Sequence, residues 1–412
     1  MNAATNAADF DEEWYRAQYP DIDEAVQKGR FDSARDHYVA HGLSEGRLPF
    51  RFDADFYVFA YPLVTPEIRD GLAADPLDHY RSIGRMRGYL PHRGAPRPTN
   101  AHAPYSPFGG LWTDAPHARD LVQGKLETGA ITEAEAEQLR FWIDNGYMIL
   151  PSGVPEEVAV AAERALDVAY SGGYPDLLFE CHSVSRDVCA WREEMNSVPA
   201  KALDMHMFSG AVRDAVFAPQ ITRMLGILFE CMPLASQTLG FLRGSAQPAH
   251  QDSAYVAYTV PREFAATWIA LEDVSPSAGE LFYYPGSHRF EEFTYGDAYK
   301  SVSEARRGGS QQDDLMKRVG EHEASLPPRA KQYGIERQTF LPKRGDVLIW
   351  HADLVHGGAP VSREMTRKSI VTHYCPRFNV PLFFEGGSTR HFYRHGDGYF
   401  ASGVYPFATP QD

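Results

Sequence analysis

Cysteine is scarce in this sequence. The 412-residue chain carries four, Cys181, Cys189, Cys231 and Cys375, and no two of them form a CxxC pair. Such spacing gives neither a disulfide framework nor a zinc knuckle. An excess of basic charge is missing too. The net charge is −15, which argues against a broad nucleic-acid footprint but leaves room for a local basic pocket. No run approaches the roughly 18 apolar residues of a membrane helix. The opening MNAATNAADFDEEW is acidic and lacks the basic and apolar regions of a signal peptide. Together these absences predict a soluble protein of a reducing compartment, the cytoplasm, with no nucleic-acid partner and no membrane span. Hydrophobic residues at 43% and aromatics at 13% fit packed domains, not disorder. The length predicts two or three of them.

The first hundred residues repeat themselves. FDEEWYRAQYP (10–20) aligns with FDADFYVFAYP (52–62), and DHYVAHGLSEGRLP (36–49) with DHYRSIGRMRGYLP (78–91), at a constant offset of 42. A constant period marks a duplicated supersecondary unit. Each copy reads as a helix around FDxxxY and a second through DHY, closed by a glycine-containing turn and a proline. His37 and His79 recur with it. Repeated at one place in each copy, they read as packing and hydrogen-bonding groups, not a metal pair. The unit resembles small tandem modules found beside bacterial glycosyltransferases and other cell-surface polysaccharide enzymes, with a pattern like FDxxYYxxxYPD…HYxxxGxxEGR.P. The second copy departs from it, reading MRGYLP where the first has EGRLP.

Residues 93–112, RGAPRPTNAHAPYSPFGGLW, are rich in proline and glycine and read as a linker. The resulting boundaries are a helical repeat domain over 1–93 (copies 10–51 and 52–93), a linker over 94–115, and a larger domain over 116–412. That domain opens on a helix with Thr132 as N-cap and Glu135 three residues on. Gly146 suits its end, and YMILP reads as a first strand. A second helix runs through VPEEVAVAAERALDVAYSGG. Beyond residue 235 come short β-rich runs: TLGFLR, YVAYTV, TWIALEDV, ELFYYPG, DVLIWHADLVHGG and KSIVTHYCP. Helices first and short strands later predict a β-sandwich or barrel with helices on one side.

AHQDSAYVAY (249–258) places His250 and Asp252 two positions apart in a segment with strand character. Residues i and i+2 of a strand face one side, so both can reach one point. Two histidines and one carboxylate make the simplest open Fe(II) site, leaving three positions free. A third ligand must come from a distant strand. WHADLVHGGAP offers His351 and His356, and Arg363 and Arg367 follow as cations for an acidic co-substrate.

These motifs resemble the phytanoyl-CoA dioxygenase family of Fe(II)- and 2-oxoglutarate-dependent oxygenases, over about residues 130–380. TWIALEDVSPSAGELFYYPGSHR is similar to the family's WxxLxDxxxxxGxLxxxPGSH. KRGDVLIWHADLVHGG is similar to its GDVxxxHxxxxHG, and FWIDNGYMILP to its usual first helix and strand. The resemblance implies an α+β protein, with a double-stranded β-helix (jelly-roll) core and flanking helices behind the helical repeat domain. It implies His250, Asp252 and His356 as iron ligands, with 2-oxoglutarate and O2 as co-substrates. In the family an arginine about eleven residues past the late histidine grips the far carboxylate. The interval from His356 to Arg367 is eleven, which selects these two over His351 and Arg363. A guanidinium suits the task because it pairs bidentately with a carboxylate. His351 then reads as a strand histidine and His288, in PGSH, as a turn residue.

Trp268 falls where the family often has a tryptophan beside the co-substrate, although a core tryptophan fits the same position. Gln247 and Gln237 lie on the approach to His250 and are candidates for the co-substrate. Tyr255 and Arg243 are candidates for the substrate. The family often carries serine or threonine two residues after the late histidine, where this chain has Gly358. The hydroxyl would come from Ser369 or Thr238, or be absent. Halogenating relatives replace the carboxylate with a small residue. Asp252 is kept, so hydroxylation is expected, with release of succinate and CO2. The substrate is expected to be a small molecule or a sugar or glycan-linked group. Its lining is expected from 170–210, from the charged insertion 291–340 as a possible lid, and from the aromatic tail 380–412. Two other readings use the same residues: a catalytically silent glycan-assembly binding protein, and a zinc hydrolase independent of O2.

Overall fold

The chain divides into two units, residues 1–101 and 102–412. The computed structural model describes residues 10–60, 64–69, 71, 73–84, 91–92, 95, 106, 108–296, 299–361, 365–377, 379, 381–384, 391–406 and 408–411.

In the first unit the helix Glu12–Gln18 begins where the Asp11 carboxylate accepts the Trp14 backbone N–H. The helix Pro20–Gln27 follows, and the short helix Ala34–His37 widens into a π-type turn over Tyr38–Gly42. The second copy places Ala54–Ala60, Pro76–His79 and the turn Tyr80–Gly84 at the same offset of 42. The Tyr15 hydroxyl lies 3.2 Å from His37 Nδ1, and that of Tyr57 lies 2.9 Å from His79 Nδ1. Both histidines are buried. A tyrosine–histidine hydrogen bond thus ties the first helix of each copy to the third.

The second unit is built on two antiparallel sheets. The larger orders its strands β1 (Tyr147–Leu150), β9 (Val347–His351), β6 (Ala265–Ala270), β11 (Ser369–Pro376), β5 (Pro233–Phe241), β4 (Lys201–Leu203), β2 (Leu178–Glu180) and β3 (Cys189–Ala190). The hairpin β12 (Tyr393–His395) and β13 (Gly398–Phe400) joins it, β13 running parallel to β5. The smaller sheet is β10 (His356–Gly358), β7 (Leu281–Tyr283) and β8 (Gln338–Phe340).

Strand alternation sorts the core. Ile269, Val347 and Ile349 pack against the helices Glu133–Asn145, Glu156–Ala169 and Pro219–Phe229 through Leu139, Leu166 and Leu225. Their neighbours Trp268, Leu348 and Trp350 turn to the other face and meet Leu281 and Tyr283 of the smaller sheet. Both faces of β6 and β9 are buried, which is why these strands read as continuous apolar runs. The helix Glu133–Asn145 starts on a capping box between Thr132 and Glu135 and stops at Gly146, in the left-handed region at φ 74°.

Three sequence expectations meet a different arrangement. YVAYTV forms no strand: its backbone turns after Asp252, and Tyr258 makes only a single bridge to Pro381. DVLIWHADLVHGG is two strands, because β9 ends at His351 and β10 restarts at His356. The last part of the expected linker is core. Leu111 and Trp112 are buried, and the Trp112 indole donates to the Ile227 carbonyl. The Trp142 indole donates to Thr113. Glycine and proline made that stretch look free, while its Leu-Trp-Thr-Asp run does the packing.

The insertion folds as the helices Val302–Arg307 and Gln312–Gln332, the longer one burying Leu315, Val319, Leu326 and Ala330. Among the described residues, no helix is long and apolar enough to cross a membrane.

Candidate metal centre

The cavity between the sheets, of about 540 Å³, takes lining from both: Gln237, Leu239, Trp268, Trp350, Val371 and His373 from the larger, Leu281 and His356 from the smaller. His250 forms a single bridge with β10, its N–H bonding to the His356 carbonyl at 2.9 Å and the reverse at 3.0 Å. Asp252 opens a 3-10 turn. His250, Asp252 and His356 are all buried, and one ligand atom from each lies within 4.8 Å of the others. The Asp252 Oδ1 atom is 3.5 Å from His250 Nε2 and 3.6 Å from His356 Nε2.

The donor set fits a divalent metal. His250 Nδ1 sits 2.8 Å from the Pro248 carbonyl, and His356 Nδ1 sits 2.9 Å from that of Leu354. A carbonyl can only accept, so each Nδ1 keeps its proton and each Nε2 presents a lone pair to the shared point. Burial pushes His356 down to about 4, against the pull of Asp252, so it is neutral near pH 7. For Asp252, burial alone would raise the pKa. Around it the imidazoles of His356, His250 and His373, when they carry a proton on the side facing it, outweigh burial and hold the carboxyl well below its usual range. Its second oxygen, Oδ2, accepts the Trp350 indole N–H at 2.8 Å and lies 3.4 Å from His373 Nε2.

At another part of the same wall sits Arg367, 2% exposed. One of its amino groups donates to the Gly279 carbonyl at 2.5 Å, and its Nε has no partner among the described residues. Its guanidinium carbon is 5.4 Å from the Trp268 ring centre. Burial lowers its pKa to about 10, opposed only by Glu280, whose carboxylate accepts the backbone N–H groups of Ser277 and Gly279. Arg367 therefore fits an incoming carboxylate.

The other sequence candidates fall on and off this wall. Gln247 lines the cavity, its side-chain nitrogen 3.1 Å from His250 Nε2. Gln237 lines it and meets His373 Nδ1 at 3.1 Å. Tyr255 lines it and donates its hydroxyl to Glu323. Thr238 does not line it. Strand alternation sends its side chain to the far face of β5, where it meets His206 Nδ1 at 2.9 Å. Ser369 is wholly buried on β11, its Oγ has no hydrogen-bond partner among the described residues, and it does not line the cavity. Arg243 bonds to the carbonyls of Asn196 and Met365, away from the wall. His351 pairs with Asp114 at 3.2 Å, and His288 sits 3.3 Å from the Ile143 carbonyl. Arg363 lies outside the described residues. Of the tail, Phe384, Phe400 and Ala401 are buried in the core, and no described tail residue lines the cavity.

The structure adds residues that sequence reasoning missed. A Cβ on Gly358 would stand 2.9 Å from the Ser245 hydroxyl, and Ser245 lines the cavity. A side chain at 358 is thus crowded out by a hydroxyl from another strand end. His373 was also missed, although it lies on β11 six residues past Arg367 and lines the same cavity. Beyond it, Glu180, His182 and Lys201 form the wall from the 170–210 region. Lys201 and Glu180 pair at 2.8 Å.

Two buried imidazoles outside the cavity set a pH limit on stability. Burial lowers His288 to about 3 and His322 to about 4. Unfolded, each takes up a proton below about pH 6.5, whereas folded each stays neutral. The unfolded state then binds more protons, and stability falls with pH through that window. The metal-free protein is expected to lose about 2 kcal/mol per histidine between pH 6.5 and 5. Thermal unfolding at the two pH values checks this, and an unchanged melting temperature would contradict it.

Two buried imidazoles and a carboxylate could hold one metal ion, in the same cavity as an arginine that has no carboxylate partner among the described residues. A model of the phytanoyl-CoA dioxygenase family matches residues 142–369, more than half of the chain. The chain belongs to that family and is a 2-oxoglutarate-dependent dioxygenase that uses Fe(II), 2-oxoglutarate and O2. It is similar to phytanoyl-CoA dioxygenase 1 of Oryza sativa subsp. japonica, 22% identical over 271 residues that cover 57% of this chain and 87% of the relative. Among solved structures it is similar to the non-heme alpha ketoglutarate dependent carbocyclase SnoK from nogalamycin biosynthesis. That match has a TM-score of 0.41 and 19% identity, covering 60% of this chain and 85% of the other. It is also similar to EctD from S. alaskensis, in a structure with 2-oxoglutarate and 5-hydroxyectoine. There the TM-score is 0.40 at 17% identity, covering 60% and 76%.

Proposed function

We propose that this dioxygenase hydroxylates a polyhydroxylated, sugar-like small molecule or glycan-linked group, with iron held by His250, Asp252 and His356. The observation that carries the site assignment is that one cavity holds both the triad and Arg367, whose Nε has no hydrogen-bond partner among the described residues. The two sheets around that cavity support a double-stranded β-helix reading of the core. Bound there, Fe(II) with 2-oxoglutarate supplies the oxidising chemistry, in which one atom of O2 enters the substrate, the other enters succinate, and CO2 leaves.

The chain's own residues position and exclude. Arg367 takes the far carboxylate of 2-oxoglutarate with a bidentate, charge-assisted pair. Ser245 offers that end a hydroxyl, the role first assigned to Ser369 or Thr238. Trp268 packs beside the guanidinium and keeps water from it. Trp350 holds the outer oxygen of Asp252, so that Oδ1 is turned to the metal. The Nδ1 protons of both ligand histidines are donated to backbone carbonyls, so neither imidazole serves as an acid.

The remaining wall supports the substrate class. Gln237, His373, Tyr255, Glu323 and the Glu180–Lys201 pair crowd it with hydrogen-bonding groups. Specificity built from such groups suits a substrate rich in hydroxyls. The N-terminal duplication, similar to modules beside glycosyltransferases, supports the same context by association. The cysteines, few and forming no CxxC pair, support a cytoplasmic setting.

Succinate release is to be measured with Fe(II), 2-oxoglutarate and O2 against free sugars, activated sugars and glycan fragments. A sugar that stimulates succinate release and gains one oxygen atom by mass is the expected result. Stimulation by acyl-CoA alone would reject the substrate class. Turnover with Zn(II) in the absence of O2 would favour the hydrolase reading.

A further inference from the structure

Alternation in HQDSA sends His250 and Asp252 toward the cavity and Gln251 and Ser253 away from it. On that far side lies a buried ion cluster that does not touch the metal ligands' donor atoms. Asp353, 3% exposed, stands between the β9 end and His356. Its Oδ2 accepts from Arg262 Nε at 2.5 Å. Its Oδ1 accepts the Ser253 hydroxyl and lies 3.3 Å from Lys300 Nζ. Lys300 also pairs with Glu292 at 2.5 Å, and Arg262 approaches Glu292 at 3.4 Å. Two cations and two carboxylates thus balance. Gln251 adds a bond from its amide to the Asp353 carbonyl at 2.7 Å, and the Ser253 N–H bonds to the Ala352 carbonyl at 3.1 Å.

We propose that Asp353, held by Arg262 and Lys300, is a positioning residue that locks the segment carrying His250 and Asp252 to the segment carrying His356. It thereby sets metal affinity without contacting the metal. Burial alone would raise the Asp353 carboxyl. Lys300 and Arg262 outweigh it and hold the group ionised, so Ser253 always meets an acceptor. The ligand segments are short: a single bridge, one 3-10 turn and a three-residue strand. Such elements fix geometry poorly by themselves, and groups behind the ligands commonly change metal affinity ten- to hundredfold. Lys300 comes from the insertion, so the insertion helps to hold the metal site together as well as walling the cavity.

The proposal rests on the triad being the metal site. The test is Co(II) titration of the full-length, metal-free chain by calorimetry, with thermal unfolding alongside. Lys300→Met with Asp353→Leu removes the lock yet keeps the cluster charge-balanced through Arg262 and Glu292. This double variant is expected to bind Co(II) about ten- to hundredfold more weakly. Ser253→Ala, which disturbs no charge, is expected to lose about tenfold and decides the matter if the double variant does not fold. Leu225→Ala, in the helical core, is the control for general destabilisation and is expected to keep wild-type affinity. Unchanged affinity in Ser253→Ala or the folded double variant overturns the proposal, as does an equal loss in Leu225→Ala. Failure of the wild type to take up Co(II) would reject the metal site itself.

Discussion

Arg367→Met is expected to make the enzyme worse and the fold stronger at once. Arg367 is buried without a carboxylate partner among the described residues, and burial has already lowered its pKa to about 10. An unpaired buried charge is costly, and an apolar side chain of similar length removes that cost. The metal-free variant should therefore melt higher than the wild type. Truncating one member of a buried charge pair costs about 2–5 kcal/mol of binding. The 2-oxoglutarate concentration needed for half-maximal succinate release should accordingly rise at least thirtyfold, at about 1.4 kcal/mol per tenfold. Arg367→Lys should recover only part of the loss, because an ammonium cannot make the forked pair. Wild-type 2-oxoglutarate dependence in Arg367→Met would remove this residue from the co-substrate site.

His356→Ala should abolish turnover. It deletes one of three ligands from a centre whose other two come from a single short segment. A metal held by His250 and Asp252 alone keeps neither facial geometry nor affinity. Anaerobic visible absorption gives a readout independent of turnover. The wild type with Fe(II) and 2-oxoglutarate should develop a metal-to-ligand charge-transfer band, and the variant should show none. His351→Ala is the paired control. His351 faces Asp114, not the cavity, so its loss should lower the melting temperature and leave the band in place. A band that survives in His356→Ala but vanishes in His351→Ala would reverse the choice between the two histidines.

That His250, Asp252 and His356 gather at one point was legible because two of them lie two positions apart and the third follows the pattern of the family the chain resembles. Co-substrate contacts depend instead on which face of a strand a residue occupies, and one sequence does not set that parity. On β5, Gln237 faces the cavity and Thr238 the helices, yet both looked equally available. Arg367 gave only a partial reference: counting by twos from it reaches Ser369, which does not line the cavity, and then Val371 and His373, which do. The helix Glu133–Asn145 was readable to its ends because Thr132, Glu135 and Gly146 act locally. The segment 108–115 was not, since its order comes from Ile227, Trp142 and His351, more than 25 positions away. The Asp353 cluster was equally invisible, since Arg262, Glu292 and Lys300 are unremarkable charges until the fold gathers them.

Gly358 carries a lesson about how such chains are compared. Judged by alignment, the chain has lost a hydroxyl that its relatives often carry. Judged in space, an oxygen atom lies 2.9 Å from the point where that side chain would begin, supplied from position 245. A pattern search that demands serine or threonine after the late histidine would score this enzyme as degenerate. A search that asks which oxygen atoms lie near that position in the cavity would find the Ser245 hydroxyl.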